Sequence, residues 1–414
     1  MNILWANAGL LLPLDKGGKL RTWHLMRHLA RRHAITWLSF AEPGAPREHL
    51  DGMREVAGRV VTVPRADVAK GSVQFYTDAA RYLVDPLPYA VAKYRSRQYA
   101  QALVDLLRRE RFDVIVGDFL PPVANMPQRL PCPSVLFTHN VEAEIWRRHV
   151  ETARNPATRA LLRTQWSRML AFERAALARF DLVLTVSDAD RTTFQRLYPG
   201  AARAYHVVPT GVDTEYFGPS TAAPDPTHLV FTGSMDWLPN EDAILHFCAD
   251  ILPRIRRAEP GVTFSIVGRA PTPAVRRRAS EGGIEVTGRV DDVRPHVARG
   301  AVYVVPVRIG GGTRLKIFEA MALGKAIVST TVGAEGLPVT DGRDILIADH
   351  PAAFAEAVVR LLRDVGERQR LETAARRLVV ERYDWSAVAG EMEAALVGAA
   401  GGDAVATPSI EATA

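Results

Sequence analysis

The sequence predicts an α/β protein made of two doubly wound domains with parallel sheets. Three observations lead there. Short apolar runs alternate with longer amphipathic stretches along most of the chain, as expected of strands covered by helices. The alternation is broken once, across residues 198–228, by a stretch rich in Pro, Gly, Ala and Thr of the kind that joins domains. The loops that carry glycine, histidine and clustered charge all follow strands, where doubly wound sheets place their ligands.

The elements follow in order. NILWAN opens the chain as a strand: the stretch MNILWANAGLLLPLDKGG has neither a basic n-region nor a small-residue cleavage site, so it does not read as a signal peptide. AITWLSF, RVVTVP, DVIVGD, SVLFTHN and LVLTVS are the further strands of the first half, short runs rich in β-branched and aromatic residues. Residues 19–32, 96–110, 158–179 and 188–197 carry helical periodicity between them. From Val230 the alternation resumes with LVFTGS, FSIVGR, IEVTGR, AVYVVP, AIVST and DILIAD, interleaved with helices at 240–257, 272–280, 291–299, 313–323 and 351–364. Two amphipathic helices, 366–380 and 384–398, close the pattern. The expected domains are 1–210 and 211–382, with a helix at 383–400 crossing back to the first domain. The small, polar stretch 401–414 is expected to be disordered. Two such domains place a cleft between the carboxyl ends of both sheets.

At 414 residues the chain has ample material for two cores, and its 47% hydrophobic content contains no apolar run of 18 residues that would span a bilayer. Two cysteines, Cys132 and Cys248, suit a reduced, cytoplasmic protein. Charge is uneven. Residues 1–210 hold 30 Lys and Arg against 19 Asp and Glu, net +11, and the remainder is net −5. A basic first half fits an anionic partner, with basic clusters at 27–32, 95–111 and 147–179. A membrane surface, a lipid phosphate and a nucleic acid all qualify by charge. The basic half lacks interleaved aromatics or a recognisable module, so nucleic acid is not expected.

Chemistry concentrates in residues 306–337, PVRIGGGTRLKIFEAMALGKAIVSTTVGAEGL. A glycine run entering a helix leaves N–H groups for an anion, and Arg314 and Lys316 bring cations to the same place. Glu319 follows inside the helix, where a carboxylate can accept two hydrogen bonds from a ribose diol. Diphosphate and ribose recognition side by side point to a nucleotide-linked donor. Six other stretches contribute. In DKGGKLR, Gly17 and Gly18 allow close backbone approach before a helix. In THNVEAEIW, His139 stands at a strand end where it can meet a sugar hydroxyl or phosphate, or move a proton. VVPTGVDTEYF turns the chain between domains. FTGSMDWLPN offers the N–H groups of Gly233 and Ser234, and GRVDDV offers loop backbone around Val290 to a nucleobase edge. In VSDAD, Ser187 reads as a helix N-cap. The chain has no GxxxxGK[ST], HExxH, CxxC or GxSxG pattern, and no DxD pair stands out in a loop, so no metal site is expected.

In these residues the chain resembles the retaining glycosyltransferases of family 4, with the GT-B fold of two Rossmann-like domains facing each other across a cleft, and within it the bacterial sugar transferases of exopolysaccharide clusters. The resemblance covers roughly residues 1–400, carried by KIFEAMALGKAIVSTTVGAEGL, VVPTGVD, LVFTGSMDWLPN and the THN strand end. It implies a nucleotide-sugar donor, UDP- or GDP-linked, held by the second domain. The acceptor, a glycan or polyprenyl-diphosphate-linked sugar, would be held by the first, at the inner face of the cytoplasmic membrane. It matches Glu319 to the ribose-binding second glutamate of a Glu-x7-Glu pair, Gly17 and Gly18 to the glycine loop near the diphosphate, His139 to the histidine against the transferred sugar, and Val290 to the base-contacting loop.

Two departures stand out. The first glutamate of the pair falls at Gly311, whose replacement is expected to come from N–H groups of Gly311, Gly312 and Thr313, with Leu315 also expected among the donor-binding residues. The cations after the second domain's opening strand fall near Met235 and Asn240. Arg314 and Lys316 are expected to take over stabilisation of the leaving diphosphate without a metal ion. A nucleotide-sugar epimerase of the same fold, or a non-catalytic sugar-nucleotide binder, are the alternatives.

Overall fold

The computed structural model describes residues 1–66, 72, 77, 81–82, 84–153, 155–309 and 315–401. The chain divides into two compact units, Met1–Pro209 joined by the last helix from Val388, and Thr210–Ala387. Among the described residues no helix is long and apolar enough to cross a membrane.

The first unit is built on seven parallel strands: β1 (Asn2–Ala6), β2 (Ala34–Ala41), β3 (Arg59–Pro64), β4 (Val114–Asp118), β5 (Ser134–Phe137), β6 (Leu182–Thr185) and β7 (Tyr205–Val207), in the order β3-β2-β1-β4-β5-β6-β7. The second has six parallel strands: β8 (Asp225–Thr232), β9 (Thr263–Val267), β10 (Ile284–Gly288), β11 (Gly300–Val305), β12 (Ala326–Ser329) and β13 (Leu346–Ile347), in the order β10-β9-β8-β11-β12-β13. Central strands are buried on both faces: every residue of β4, β11 and β12 is buried, which is why they read as unbroken apolar runs. Strand order reverses direction between β1 and β4 in one sheet and between β8 and β11 in the other. Those are the points where a doubly wound sheet opens a crevice at its carboxyl edge.

Helix boundaries follow capping chemistry. Ser187 accepts from the Asp190 N–H as the sequence predicts, and Asn155, Ser96 and Asp364 cap three further helices. Three expectations are corrected. The stretch 198–228 is not all linker: Tyr205–Val207 is an edge strand too short to show a period, and β8 begins at Asp225, its polar first residues lying at the sheet's amino edge. Helices Arg47–Met53 and Glu142–Thr152 were absent from the sequence reading; the second is polar on most faces and buries only Ala143 and Val150. The expected helix 240–257 is Leu238–His246, a wider π turn Phe247–Ile251 and then Leu252–Ala258. Pro253 has no N–H to return to the preceding turn, which accounts for the widening.

The segment after Pro209 is fastened to the chain's second crossing. Val212 pairs with Asp384, the Thr214 hydroxyl donates to Asp384 Oδ2 at 2.7 Å, and Gly211 lies against the Trp385 indole, 2.6 Å from where a Cβ would stand.

Candidate active site

In the first unit, the exits of β1, β4 and β5 meet around one buried carboxylate. Asp118 ends β4, and its Oδ2 accepts from the Trp5 indole N–H (3.0 Å), the Asn7 amide (2.7 Å) and the Thr22 hydroxyl (2.9 Å). Its Oδ1 lies 2.6 Å from His139 Nε2. Arg21 Nη1 lies 2.8 Å from His139 Nδ1. A guanidinium only donates, so Nδ1 is the acceptor and Nε2 carries the proton toward Asp118. The ring is therefore a neutral Nε2–H tautomer. Burial holds its pKa down, Asp118 pulls it up and Arg21 again lowers it. Burial also draws the Arg21 guanidinium down to about 10, opposed by Asp118 and Asp190.

Both ring nitrogens of His139 are thus engaged within the protein, and the residue is 5% exposed. Neither is open to a sugar hydroxyl or a transferred proton in this arrangement. What His139 presents is a fixed ring, stacked on Phe119 at 3.8 Å and 8°. Phe119 holds a left-handed φ of 67°, and a Cβ on Gly18 would fall 2.5 Å from its ring. Gly18 is where the backbone needs to be bare; around Gly17 nothing lies within 4 Å of such a Cβ.

In the second unit the convergence is on the loop after β8. Lys316, from the helix Leu315–Ala322, lays its ammonium 4.1 Å from the Phe231 ring centroid and donates to Asn240 Oδ1 at 2.7 Å. The Asn240 amide donates in turn to the Ser234 carbonyl at 2.8 Å. Both side chains occupy the space left by Gly233: a Cβ there would stand 2.6 Å from Asn240 Nδ2 and 2.9 Å from Lys316 Nζ. One turn on, Glu319 is half-buried; burial pushes its carboxyl up, Lys316 draws it down, and among the described residues no group hydrogen-bonds it. Tyr303 stands near it, its hydroxyl bonded to Thr232 Oγ1 at 2.5 Å. Val290, half-buried, packs its side chain against the core. Leu315 is half-buried at the first position of its helix. Gly311, Gly312, Thr313 and Arg314 lie outside the described residues.

The structure thus brings Lys316, Gly233 and Ser234 together in one unit, with Glu319 a turn along the same helix from Lys316, and gathers Gly18 and His139 in the other. Sequence reasoning missed Asp118, Arg21 and Phe119. The signal for Asp118 was present, a carboxylate closing the buried run VIVGD. Arg21 looked like one arginine among many.

Residues 16–216 match the family model described as Glycosyltransferase Family 4, and residues 226–364 that described as Glycosyl transferases group 1. The phosphatidyl-myo-inositol mannosyltransferase of Mycobacterium tuberculosis is 31% identical over 200 residues, 45% of this chain and 52% of that one. The GDP-mannose-dependent alpha-(1-6)-phosphatidylinositol monomannoside mannosyltransferase of the same species is 28% identical over 257 residues, 55% of this chain and 65% of that one. The chain spans about half the length of the first of these relatives and somewhat less than two thirds of the second. Among solved structures, sucrose-phosphate synthase from Thermosynechococcus elongatus superposes with a TM-score of 0.63 at 17% identity, covering 95% of this chain and 98% of that one. Anabaena HepE in complex with UDP gives 0.65 at 14%, covering 96% and 100%. These likenesses speak for the fold. With one family model on each unit and whole-length agreement in fold, the chain belongs to the family 4 glycosyltransferases of GT-B fold.

Proposed function

We propose that this protein is a retaining glycosyltransferase. It moves a sugar from a UDP- or GDP-linked donor to a glycan or polyprenyl-diphosphate-linked acceptor, without a metal ion, in the assembly of exopolysaccharide or another cell-surface polysaccharide. The observation that carries this reading is the Lys316–Asn240 contact. The family's cation is missing at Asn240, and the ammonium of Lys316 stands 2.7 Å from that side chain's oxygen. The relatives' names support the substrate class, since they transfer mannose to phosphatidylinositol lipids, one of them from GDP-mannose. The solved complexes of HepE hold UDP and UDP-glucose.

In this reading Glu319 accepts the ribose diol, which suits a half-buried carboxylate without a hydrogen-bonding neighbour among the described residues. The backbone beside Val290 meets the base, and the N–H groups of Gly233 and Ser234 meet the diphosphate. Lys316 and Arg314 stabilise the charge that develops as the bond from the sugar C1 to phosphate oxygen breaks. Gly311, Gly312, Thr313 and Leu315 supply the contact made elsewhere by the absent first glutamate. The acceptor oxygen attacks C1 on the face the diphosphate leaves, through an oxocarbenium-like state, and its proton passes to the departing phosphate oxygen. His139 is a positioning residue, its ring held edge-on by Asp118 and Arg21 while its face stacks on Phe119. The basic first unit keeps the enzyme at the inner face of the cytoplasmic membrane.

A thermal-shift screen of nucleotide-sugar donors on wild type and Glu319→Ala tests the reading. One donor is expected to stabilise the wild type and not the variant, and mass spectrometry with that donor and a lipid extract to show a glycosylated product. Stabilisation by no nucleotide or nucleotide sugar overturns it.

A further inference from the structure

The loop after β8, GSMDWLPN, contains no lysine or arginine. Its cations arrive from both neighbouring strands. Sheet order sets β9 and β11 on either side of β8. Lys316 follows β11 and reaches the loop's far end at Asn240. Arg269 follows β9 and reaches its near end: Nε donates to Ser234 Oγ at 2.8 Å. We infer that Arg269 is a second donor-phosphate cation, which grips the nucleotide's diphosphate opposite Lys316 across Gly233 and Ser234.

Three features make Arg269 more than a surface arginine. Its backbone is locked to the β8 loop, with Met235 N–H donating to the Arg269 carbonyl at 2.9 Å. The next residue, Ala270, holds a left-handed φ of 52°, a conformation that side chains with a Cβ disfavour. The Arg269 guanidinium is oriented by a hydroxyl rather than by a direct ion pair, although its charge helps Ser234 hold the Asp236 carboxyl below the usual range. Ser234 Oγ accepts from Arg269 and donates its own proton to Asp236 Oδ1, so the nearest carboxylate is engaged by the hydroxyl. Among the described residues Arg269 forms no ion pair, and the residue is exposed. An exposed arginine held through Nε keeps its Nη groups for the forked contact that matches phosphate oxygens. The loop that lost its own cations thereby holds one on each side, and both can answer the charge that builds on the leaving diphosphate.

This inference rests on the donor-site reading above, and the experiment separates the two. Binding of UDP, GDP, UMP and GMP to the full chain is measured by calorimetry at two salt concentrations for wild type, Arg269→Gln, Arg269→Lys and Ser234→Ala. Arg269→Gln is expected to weaken the better diphosphate about ten- to a hundred-fold, to change the matching monophosphate much less, and to reduce the salt dependence. Arg269→Lys recovers part of the affinity, and Ser234→Ala, which frees the guanidinium, loses a smaller share. The unliganded melting temperature of Arg269→Gln stays at the wild-type value, since the side chain is exposed. Equal diphosphate affinity in wild type and Arg269→Gln overturns the role of Arg269 and leaves the donor site standing. Failure of the wild type to bind any of the four overturns both.

Discussion

A Cβ on Gly268 would stand 1.8 Å from the carbonyl oxygen of Gly233, so the exits of β9 and β8 touch backbone to backbone. The stitching continues sideways: Gly233 N–H donates to Val267 O at 2.9 Å, and Gly268 N–H to Gly288 O at 3.2 Å. Three strand ends written TGS, VGR and TGR are bound into one ledge at the sheet's carboxyl edge. Gly268 also has φ of +147°, which an L side chain rarely adopts. Since backbone rather than a movable side chain opposes it, Gly268→Ala is expected to destabilise the protein by roughly 3 kcal/mol or more. Gly261→Ala, with nothing within 4 Å, should stay within about 0.5 kcal/mol of wild type. Urea unfolding of the two variants checks the contrast; equal midpoints would contradict the close approach.

Gly233 poses a different test, because its neighbours are side-chain ends. An added methyl meets the Asn240 amide and the Lys316 ammonium, both of which can swing aside. Gly233→Ala is therefore expected to fold with a melting temperature within a few degrees of wild type and to lose at least ten-fold in nucleotide diphosphate affinity. A large drop in stability with affinity intact would remove the ammonium from the site.

Much of the fold was legible because both sheets are parallel and buried on both faces, so their central strands appear as apolar runs. What escaped has physical causes. β7 is three residues long, and the helix Glu142–Thr152 is polar on most faces. The second unit's site was legible where glycine, cation and carboxylate fall within a few positions, as at Lys316 and Glu319. Arg269 was not legible as part of it, and Asn240 was legible only as the place of a missing cation, since the contacts Arg269–Ser234 and Lys316–Asn240 join positions that only sheet order makes neighbours. For His139 the sequence supplied the residue but not its partners. Arg21 and Asp118 precede it by 118 and 21 positions, and they turn an apparent acid or base into a fixed neutral ring.

The charge asymmetry yields a prediction at the membrane. The first half carries net +11, and Arg159 and Arg163 stand exposed on the helix Pro156–Leu177 beside an exposed Leu161. Vesicles containing phosphatidylglycerol should sediment the protein at low salt, release it near 0.5 M salt as the screening length falls below about 5 Å, and retain less of Arg159→Glu/Arg163→Glu. Equal retention on neutral vesicles would sink the electrostatic account.

Glu173 supplies a pH-dependent test of the loop that bears His139. Its carboxylate accepts from the Tyr198 hydroxyl at 2.5 Å and from the N–H groups of Glu142 and Ala143 at 2.9 and 3.3 Å. Those two N–H groups open the helix Glu142–Thr152, three residues beyond His139. Burial nevertheless pushes the Glu173 carboxyl up to about 7, above an ordinary 4.5. A folded-state pKa above the unfolded one means that the native state binds the extra proton. Its contribution to stability is full below about 4.5 and is lost as pH rises through 7. Glu142 and Asp190 are also shifted upward by burial and act in the same sense, whereas the lowered His139 acts in the opposite sense. The informative quantity is therefore the difference between wild type and Glu173→Gln, which keeps an acceptor for the helix N–H groups and cannot titrate. Between pH 5 and 7.5 the wild type should lose stability relative to the variant, by about 3 kcal/mol at the outside. Parallel stability profiles across that window would show that Glu173 is ionised throughout it.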